Sequence, residues 1–164
     1  MKVLFVYTNI NGYHEDCYSF GLASIVSVTK LAGHDARVII VNTKEDYENV
    51  FKEINESEPL VVGFSSVSSQ FNFVKELAIG IKAISANIIN VCGGVLPTIK
   101  PSCILEAKCL DAVFVGESEK AFIEFLAKVE RGLDYKDTDN LAYEENGKLI
   151  INKLKPLITN IDDL

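Results

Sequence analysis

The sequence predicts a three-layer α/β fold with a parallel five-stranded sheet at its centre. Five short apolar runs alternate along the chain with segments in which apolar residues recur at helical spacing. The connections are long enough for crossovers between parallel strands, and right-handed crossovers put helices on both faces of the sheet. With 164 residues, of which 48% are hydrophobic and 24% charged, the chain has the composition of one ordinary globular domain.

The predicted strands are mostly apolar, and the first, residues 3–7, is an uninterrupted apolar run, as expected for a strand that is buried on both faces. The runs cover residues 3–7, 36–41, 60–64, 87–92 and 112–115. Polar loops follow the first and third runs, and such loops flank the switch point of an open parallel sheet, where ligands bind. These patterns favour the flavodoxin-like (Rossmann-like) strand order 2-1-3-4-5.

Helices are predicted between the strands. The first ends at Gly33, a residue type suited to the position after a helix, and Thr43 is able to cap the second. The third covers about residues 70–85. A Pro-containing loop separates the fourth strand from a short helix at 101–107, and the last helix begins at 116–119 and ends near Gly132.

The chain changes character after residue 132. Two short apolar runs, at 141–143 and 149–151, flank Asn146-Gly147, and Asn-Gly between such runs predicts a type I′ β-hairpin. We therefore divide the chain into an α/β domain, residues 1–132, and a hairpin extension followed by a linker, residues 133–164.

The charge and the cysteines exclude several classes of partner. A formal net charge of −7 argues against nucleic acid and anionic membrane surfaces, both of which attract clustered Lys and Arg. No apolar run reaches transmembrane length, and Met1 and Lys2 lead directly into a strand rather than a signal peptide. The cysteines at positions 17, 92, 103 and 109 contain no CxxC pair. We expect free thiols, a reducing compartment and a cytoplasmic location.

The loops at the predicted strand ends exclude common ligand sites and catalytic centres. A dinucleotide site needs GxGxxG after the first strand and an acid after the second, but only Gly12 lies in the first loop and Asn42 ends the second strand. The uncharged Thr8-Asn9 pair lacks the carboxylates that hold a metal in phosphate-accepting receiver domains. No nucleophile–base pair or metal cluster is recognisable. We expect no catalytic or metal-ligating residue in this domain.

The third predicted strand is followed by hydroxyl side chains, and the fourth is followed by two glycines. Gly93 and Gly94 either form a tight turn that needs a positive φ or remove side chains where a ligand approaches the backbone. If φ of Gly94 is negative, a bulky residue there should block binding and spare the fold. With Ser65 and Ser66, these loops predict a neutral crevice suited to a large, mostly uncharged ligand that carries one phosphate.

A series of motifs in this order resembles the cobalamin-binding domain at the N-terminus of radical S-adenosylmethionine enzymes, and the resemblance covers essentially the whole chain. The motifs are LAGHD at 31–35, SSV at 65–67, GGVLPT at 93–98, GESE at 116–119, NLAY at 140–143 and NGK at 146–148. In that family the loops after the third and fourth strands line the channel for the nucleotide tail of the cofactor.

The resemblance implies a cobalamin site. Its residues are Asn9, Tyr13, Ser65, Ser66, Val67, Gly93, Gly94, Val95, Gly116 and Glu117. Other cobalamin domains carry DxHxxG in the first loop, whose His binds cobalt. Here His14 has neither the Asp before it nor the Gly after it, so it lacks the carboxylate that orients such a ligand. We expect cobalamin bound base-off, without a histidine ligand.

The resemblance also implies a larger enzyme. A radical S-adenosylmethionine domain has a CxxxCxxC motif for its iron–sulfur cluster, and no such spacing occurs here. We expect S-adenosylmethionine and the cluster to belong to a catalytic barrel beyond the linker, in a methyltransferase or cyclase, and the barrel to be the partner of this domain.

Two other interpretations stay open at this stage. A cofactor-free interaction or substrate-docking domain of the same enzyme class would have its groove filled by large side chains such as Phe20, Phe71 or Leu96. A flavin-binding, flavodoxin-like module would need more hydroxyls in the first loop for its phosphate than this sequence has.

Overall fold

A computed structural model describes residues 1–10, 12 and 19–159, which contain one seven-stranded sheet. The strands are β1 (Lys2–Thr8), β2 (Asp35–Val41), β3 (Val61–Ser65), β4 (Ile89–Gly93), β5 (Ala112–Phe114), β6 (Leu141–Glu145) and β7 (Lys148–Ile151). The α-helices are α1 (Phe20–Leu31), α2 (Tyr47–Ser57), α3 (Phe71–Ile84), α4 (Val95–Ile99) and α5 (Glu119–Glu130), and 3₁₀ helices span Lys44–Asp46 and Pro101–Glu106.

The strand order is β2-β1-β3-β4-β5-β6-β7. The first five strands are parallel, which confirms the predicted order 2-1-3-4-5, and β6 and β7 are antiparallel. The predicted hairpin is confirmed, with positive φ at both Asn146 (53°) and Gly147 (77°), as a type I′ turn requires. Because β6 pairs with β5 through Val113 and Ala142, the hairpin extends the same sheet.

Two apolar cores form, one on each face of the sheet. On one face α2, α3 and the region of α4 contribute buried side chains such as Ile54, Leu77 and Leu96. On the other face α1 and α5 pack over β1, β4 and β5, and this core is aromatic: the Phe122 ring lies 5.6 Å from that of Phe5 and 5.5 Å from that of Phe114. The second face carries the site described below.

The segment after β4 differs from its prediction. Residues 95–98, predicted as a loop, form most of α4, which begins directly after Gly94. Pro97 is tolerated because it lies in the first turn, where its missing N–H has no helical acceptor. Five residues are too few to show a helical period, and this helix is held by burial of Leu96 and Pro97 instead.

Three of the cysteines lie in the described part of the chain, and all three are free: Cys92 and Cys103 are buried and Cys109 is half-buried. Burial raises the pKa of the Cys92 thiol far above its usual range. Among the described residues, no three His, Cys, Asp or Glu side chains lie close enough to hold a metal ion. No helix in the same residues is long and apolar enough to cross a membrane.

Candidate functional site

A groove of about 510 Å³ lies between α1 and α5 and opens at the carboxyl ends of the parallel strands. Its volume falls in the range of small-molecule and cofactor pockets, roughly 300–1,000 Å³. Side chains and backbone from α1, α4 and α5, from four strands and the loops after them, and from the C-terminal tail line it. They are Phe5, Gly21, Leu22, Ile25, Gly63, Phe64, Ser65, Val91, Gly93, Gly94, Val95, Thr98, Ile99, Phe114, Gly116, Glu117, Ser118, Glu119, Phe122 and Leu157.

The floor of the groove is apolar and partly aromatic. Phe5 on β1, Phe114 on β5 and Phe122 on α5 lie in the core, each only 3% exposed, and form the base of the groove. Gly63, opposite Phe5 in the β1–β3 pair, makes room for this arrangement, since a Cβ there would lie 3.0 Å from the Phe5 ring. Such a floor suits a flat, uncharged ring system.

The loop after β3 and the loop after β4 are joined by backbone hydrogen bonds. The Ser66 amide donates to the Gly93 carbonyl oxygen (3.0 Å), and the Leu96 amide donates to the Ser66 carbonyl oxygen (3.1 Å). Ser66 is only 2% exposed, and its hydroxyl donates to the Val67 carbonyl oxygen (3.0 Å). Ser66 therefore holds the two loops together from inside the protein.

The two adjacent glycines serve different purposes. Gly94 has φ 98° and ψ −163°, and a Cβ on it would lie 2.9 Å from both the amide nitrogen and the carbonyl oxygen of Ser66. Gly93 lies in β4, and a Cβ on it would meet no atom within 4 Å. The φ of Gly94 is therefore positive, so the condition for a bulky substitution that spares the fold is not met. Gly94 is needed for the backbone conformation, and Gly93 leaves space in the groove.

Thr98 ties the loop after β4 to the loop after β5. Its hydroxyl donates to the Gly94 carbonyl oxygen (2.9 Å) and accepts from the Gly116 amide (3.0 Å). In the sequence, Thr98 is only the last residue of the GGVLPT motif. Its contact with Gly116, 18 residues further along the chain, could not be predicted from the residues around it. The rim of the groove depends on this bridge.

Thr98→Val is expected to lower the free energy of unfolding by about 1–2 kcal/mol, because the substitution removes two hydrogen bonds worth roughly 0.5–1.5 kcal/mol each. The melting temperature should fall by roughly 3–6 °C. Thr98→Ser, which keeps the hydroxyl, is the matched control and should melt close to the wild type. Equal melting temperatures for Thr98→Val and Thr98→Ser would contradict the bridge.

The acidic residues at the start of α5 point to different neighbours. Glu117 Oε2 accepts a hydrogen bond from the Ile158 amide (2.7 Å) in the chain's C-terminal tail. Glu119 Oε1 accepts from the Ser24 hydroxyl on α1 (2.9 Å), and its Oε2 is buried with no hydrogen-bond partner among the described residues. Both carboxylates lie near the N-terminus of α5, where the helix dipole stabilises negative charge.

Asn140 anchors the chain's C-terminal tail to the rim. Its buried side-chain amide donates to the carbonyl oxygens of Val115 (2.8 Å) and Glu117 (3.1 Å), and its Oδ1 accepts from the Lys155 amide (2.9 Å). From there the tail passes along the groove, and Leu157 forms part of the lining. Asn140 and Glu117 thus both attach the tail beside the groove.

The structure brings six of the predicted site residues together in the lining of the groove. They are Ser65, Gly93, Gly94, Val95, Gly116 and Glu117. Ser66 is buried behind the lining, and Val67 is exposed outside it. Asn9 lies beyond the lining too, where its side chain donates to Asn42 Oδ1 (3.3 Å). Tyr13, like His14, lies outside the described residues.

The aromatic floor and the tail were not predicted from the sequence. The sequence pattern of Phe5, Phe114 and Phe122 is that of core residues. An apolar residue that lines a groove and one that is buried in the core give the same pattern in a strand or helix. Leu157 lay in a segment without any recognisable pattern. Only the pairing of distant strands and helices reveals that these residues share one surface.

A family model described as a B12 binding domain matches residues 8–126 of the chain, which is more than half of its length. The chain belongs to the B12-binding domain family. The matched region runs from the end of β1 into α5 and so contains most of the elements that build the groove.

Curated relatives of this B12-binding domain include two longer proteins. An uncharacterized methyltransferase of Pyrococcus horikoshii is 33% identical over 147 residues, a match that covers 88% of this chain and 32% of that protein. The anaerobic magnesium-protoporphyrin IX monomethyl ester cyclase of Rubrivivax gelatinosus is 23% identical over 176 residues, covering 99% of this chain and 31% of that protein. The chain thus spans about a third of the length of each relative.

A solved structure shares the fold of this B12-binding domain. The radical S-adenosylmethionine methyltransferase TsrM from Kitasatospora setae, with cobalamin and a [4Fe-4S] cluster bound, superposes with a TM-score of 0.80 at 15% identity. The superposition covers 97% of this chain and 30% of that one. Together with the family match, this fold confirms the predicted resemblance to the cobalamin-binding domains of radical S-adenosylmethionine enzymes.

Proposed function

We propose that this chain binds cobalamin in its groove, base-off and without a histidine ligand. The observation that carries the proposal is the open, apolar-floored groove at the carboxyl ends of β1, β3, β4 and β5. The predicted site residues Ser65, Gly93 and Glu117 lie in its lining. Corrinoid chemistry at cobalt is supplied by the cofactor, and the role of this chain is to bind and orient it.

The residues present fit the nucleotide tail of such a cofactor. Gly93 has open space where a side chain would be, so a ligand can approach the backbone of β4 closely. The half-buried Leu22 and Ile25 offer apolar surface for a heterocyclic base, above the almost fully buried rings of Phe5, Phe114 and Phe122, and the hydroxyl of Ser65 is a polar contact on the rim. We assign the tail to this groove, with Val95, Gly116 and Glu117 along its mouth.

Binding without a histidine ligand is supported by the position of His34, the one histidine among the described residues. His34 lies at the opposite end of the sheet, where its Nδ1 is 3.3 Å from the N-terminal nitrogen of Met1. Burial and the neighbouring ammonium group lower the pKa of His34. In the first loop, His14 lacks the Asp and Gly of the DxHxxG motif.

We further propose that the chain is the N-terminal part of a radical S-adenosylmethionine methyltransferase or cyclase. Residues 1–132 would form the cobalamin-binding unit, and residues 133–164 a hairpin and linker towards the catalytic barrel, its partner. S-adenosylmethionine and the iron–sulfur cluster would bind to that barrel. This assignment is supported by relatives named methyltransferase and cyclase, each about three times as long as the chain.

The arrangement of large side chains favours a ligand-binding groove over a cofactor-free docking domain. Phe20, Phe71 and Leu96, which would fill the groove in such a domain, are not part of its lining. Phe71 and Leu96 belong to the core on the opposite face of the sheet, and Phe20 is 81% exposed.

The test is a titration of the 164-residue chain with hydroxocobalamin. We expect co-elution on size exclusion at neutral pH and a visible spectrum shifted to that of the base-off form. The chain unfolded in urea is the control, since it exposes the cysteine thiols, which ligate cobalt, but has no groove. A folded chain that elutes without colour would contradict the proposal.

A further inference from the structure

The tail of the chain contributes an apolar side chain to the groove that is not explained by packing within the protein. Leu157 lies in the groove lining although its side chain is 70% exposed. Two other exposed apolar residues, Val95 (58%) and Ile99 (70%), line the same groove from α4. Exposed apolar residues that line one groove are typical of a ligand-binding or interaction surface.

The backbone around Leu157 is fixed at its two ends. Before it, the Lys155 amide donates to Asn140 Oδ1 (2.9 Å), and the Lys155 ammonium group pairs with Glu124 (2.8 Å) and Asp139 (3.5 Å). After it, the Ile158 amide donates to Glu117 Oε2 (2.7 Å), and hydrogen bonds to a carboxylate are among the stronger ones. These hydrogen bonds on both sides of Leu157 fix its position beside the groove.

Leu157 does not act as a plug. A plug would be buried in the space it fills, but Leu157 is mostly exposed, and the groove has a volume of about 510 Å³ with the tail in place. Its side chain lines one side of the groove, and its exposed surface is available for contact with a bound ligand.

We propose that Leu157 is a cofactor-contacting residue, and that binding of the corrinoid in the groove fastens the tail segment 155–158 to the domain. This inference rests on the proposed function. The apolar surface of Leu157 is removed from water only when the groove is filled, so the ligand and the docked tail stabilise each other. The tail leads towards the proposed catalytic barrel. Ligand binding in the groove would therefore restrict the motion of the segment that connects the two domains.

The experiment compares Leu157→Ala with Leu154→Ala in the 164-residue chain. Leu154 is a matched control because it lies in the same tail, is 50% exposed and is absent from the groove lining. Hydroxocobalamin affinity is measured for both variants, and amide hydrogen exchange of residues 153–159 is followed with and without the ligand. Leu157→Ala should weaken binding roughly 10-fold, because the substitution removes most of the apolar side-chain surface that the ligand would cover. Leu154→Ala should bind like the wild type.

The ligand should also slow exchange of the Lys155 and Ile158 amides in the wild type. Equal affinities for the two variants, or tail exchange that the ligand leaves unchanged, would overturn the inference while leaving cobalamin binding intact. An affinity that rises in Leu157→Ala would indicate a plug and overturn it as well. A wild-type chain that binds no cobalamin would overturn both this inference and the proposed function.

Discussion

Replacing Gly93 by leucine is expected to lower the affinity of the chain for cobalamin by roughly 100-fold or more while the domain stays folded. Gly93 ends β4 inside the groove, and a Cβ there meets nothing within 4 Å. A leucine side chain would extend into the space assigned to the nucleotide tail, and overfilling a packed site costs about 1–3 kcal/mol or more. Spectroscopic titration with hydroxocobalamin measures the loss.

Ala83→Leu is the matched control for this experiment. Ala83 lies on α3, on the other face of the sheet, and it is exposed. The substitution adds the same kind of apolar bulk to the surface far from the groove, so its affinity should equal that of the wild type. If Gly93→Leu bound cobalamin as tightly as Ala83→Leu does, the tail would not lie along β4.

Gly94→Ala is expected to destabilise the fold by about 3 kcal/mol. With φ 98° and ψ −163°, Gly94 has a backbone conformation that is essentially restricted to glycine and costs other residues roughly 1–3 kcal/mol. The added methyl group would also lie 2.9 Å from two backbone atoms of Ser66, which cannot move without breaking the hydrogen bonds to Gly93 and Leu96. A chain of this size should melt roughly 6–12 °C lower.

Gly93→Ala, one residue earlier, provides the comparison. Its methyl group enters open space, so thermal or urea unfolding should give a stability within about 1 kcal/mol of the wild type. The two neighbouring substitutions therefore separate a glycine required by the backbone from one that leaves room for a ligand. A melting temperature of Gly94→Ala equal to that of Gly93→Ala would refute this distinction.

Much of the fold was predictable because its signals are local. Strands buried on both faces must be apolar throughout, which is why residues 3–7 and 60–64 were recognised as strands close to their actual bounds. The hairpin was predictable from Asn146-Gly147, since both positions need a positive φ. Helix α4 was missed because its five residues are held by burial against the core, a property of the folded protein rather than of the segment.

The candidate site was predictable in part for a similar reason. The loops after β3, β4 and β5 follow the strand ends directly, and parallel strands bring their carboxyl ends to one edge, so Ser65, Gly93 and Gly116 were expected to meet. The floor was not predictable, because Phe5 and Phe122 are 117 positions apart and their contact, 5.6 Å between ring centroids, depends on how α5 packs across the sheet.

The sequence by itself determined the fold class, the order of the parallel strands, the hairpin and the loops that surround the groove. These follow from residue type and spacing along short segments. Three features were decided by the tertiary structure alone. Gly93 rather than Gly94 leaves room for a ligand, Thr98 and Asn140 join the loops at the rim, and Leu157 lines the groove. Each of these depends on a distance between segments far apart in the chain, and such distances arise only when helices and strands pack together.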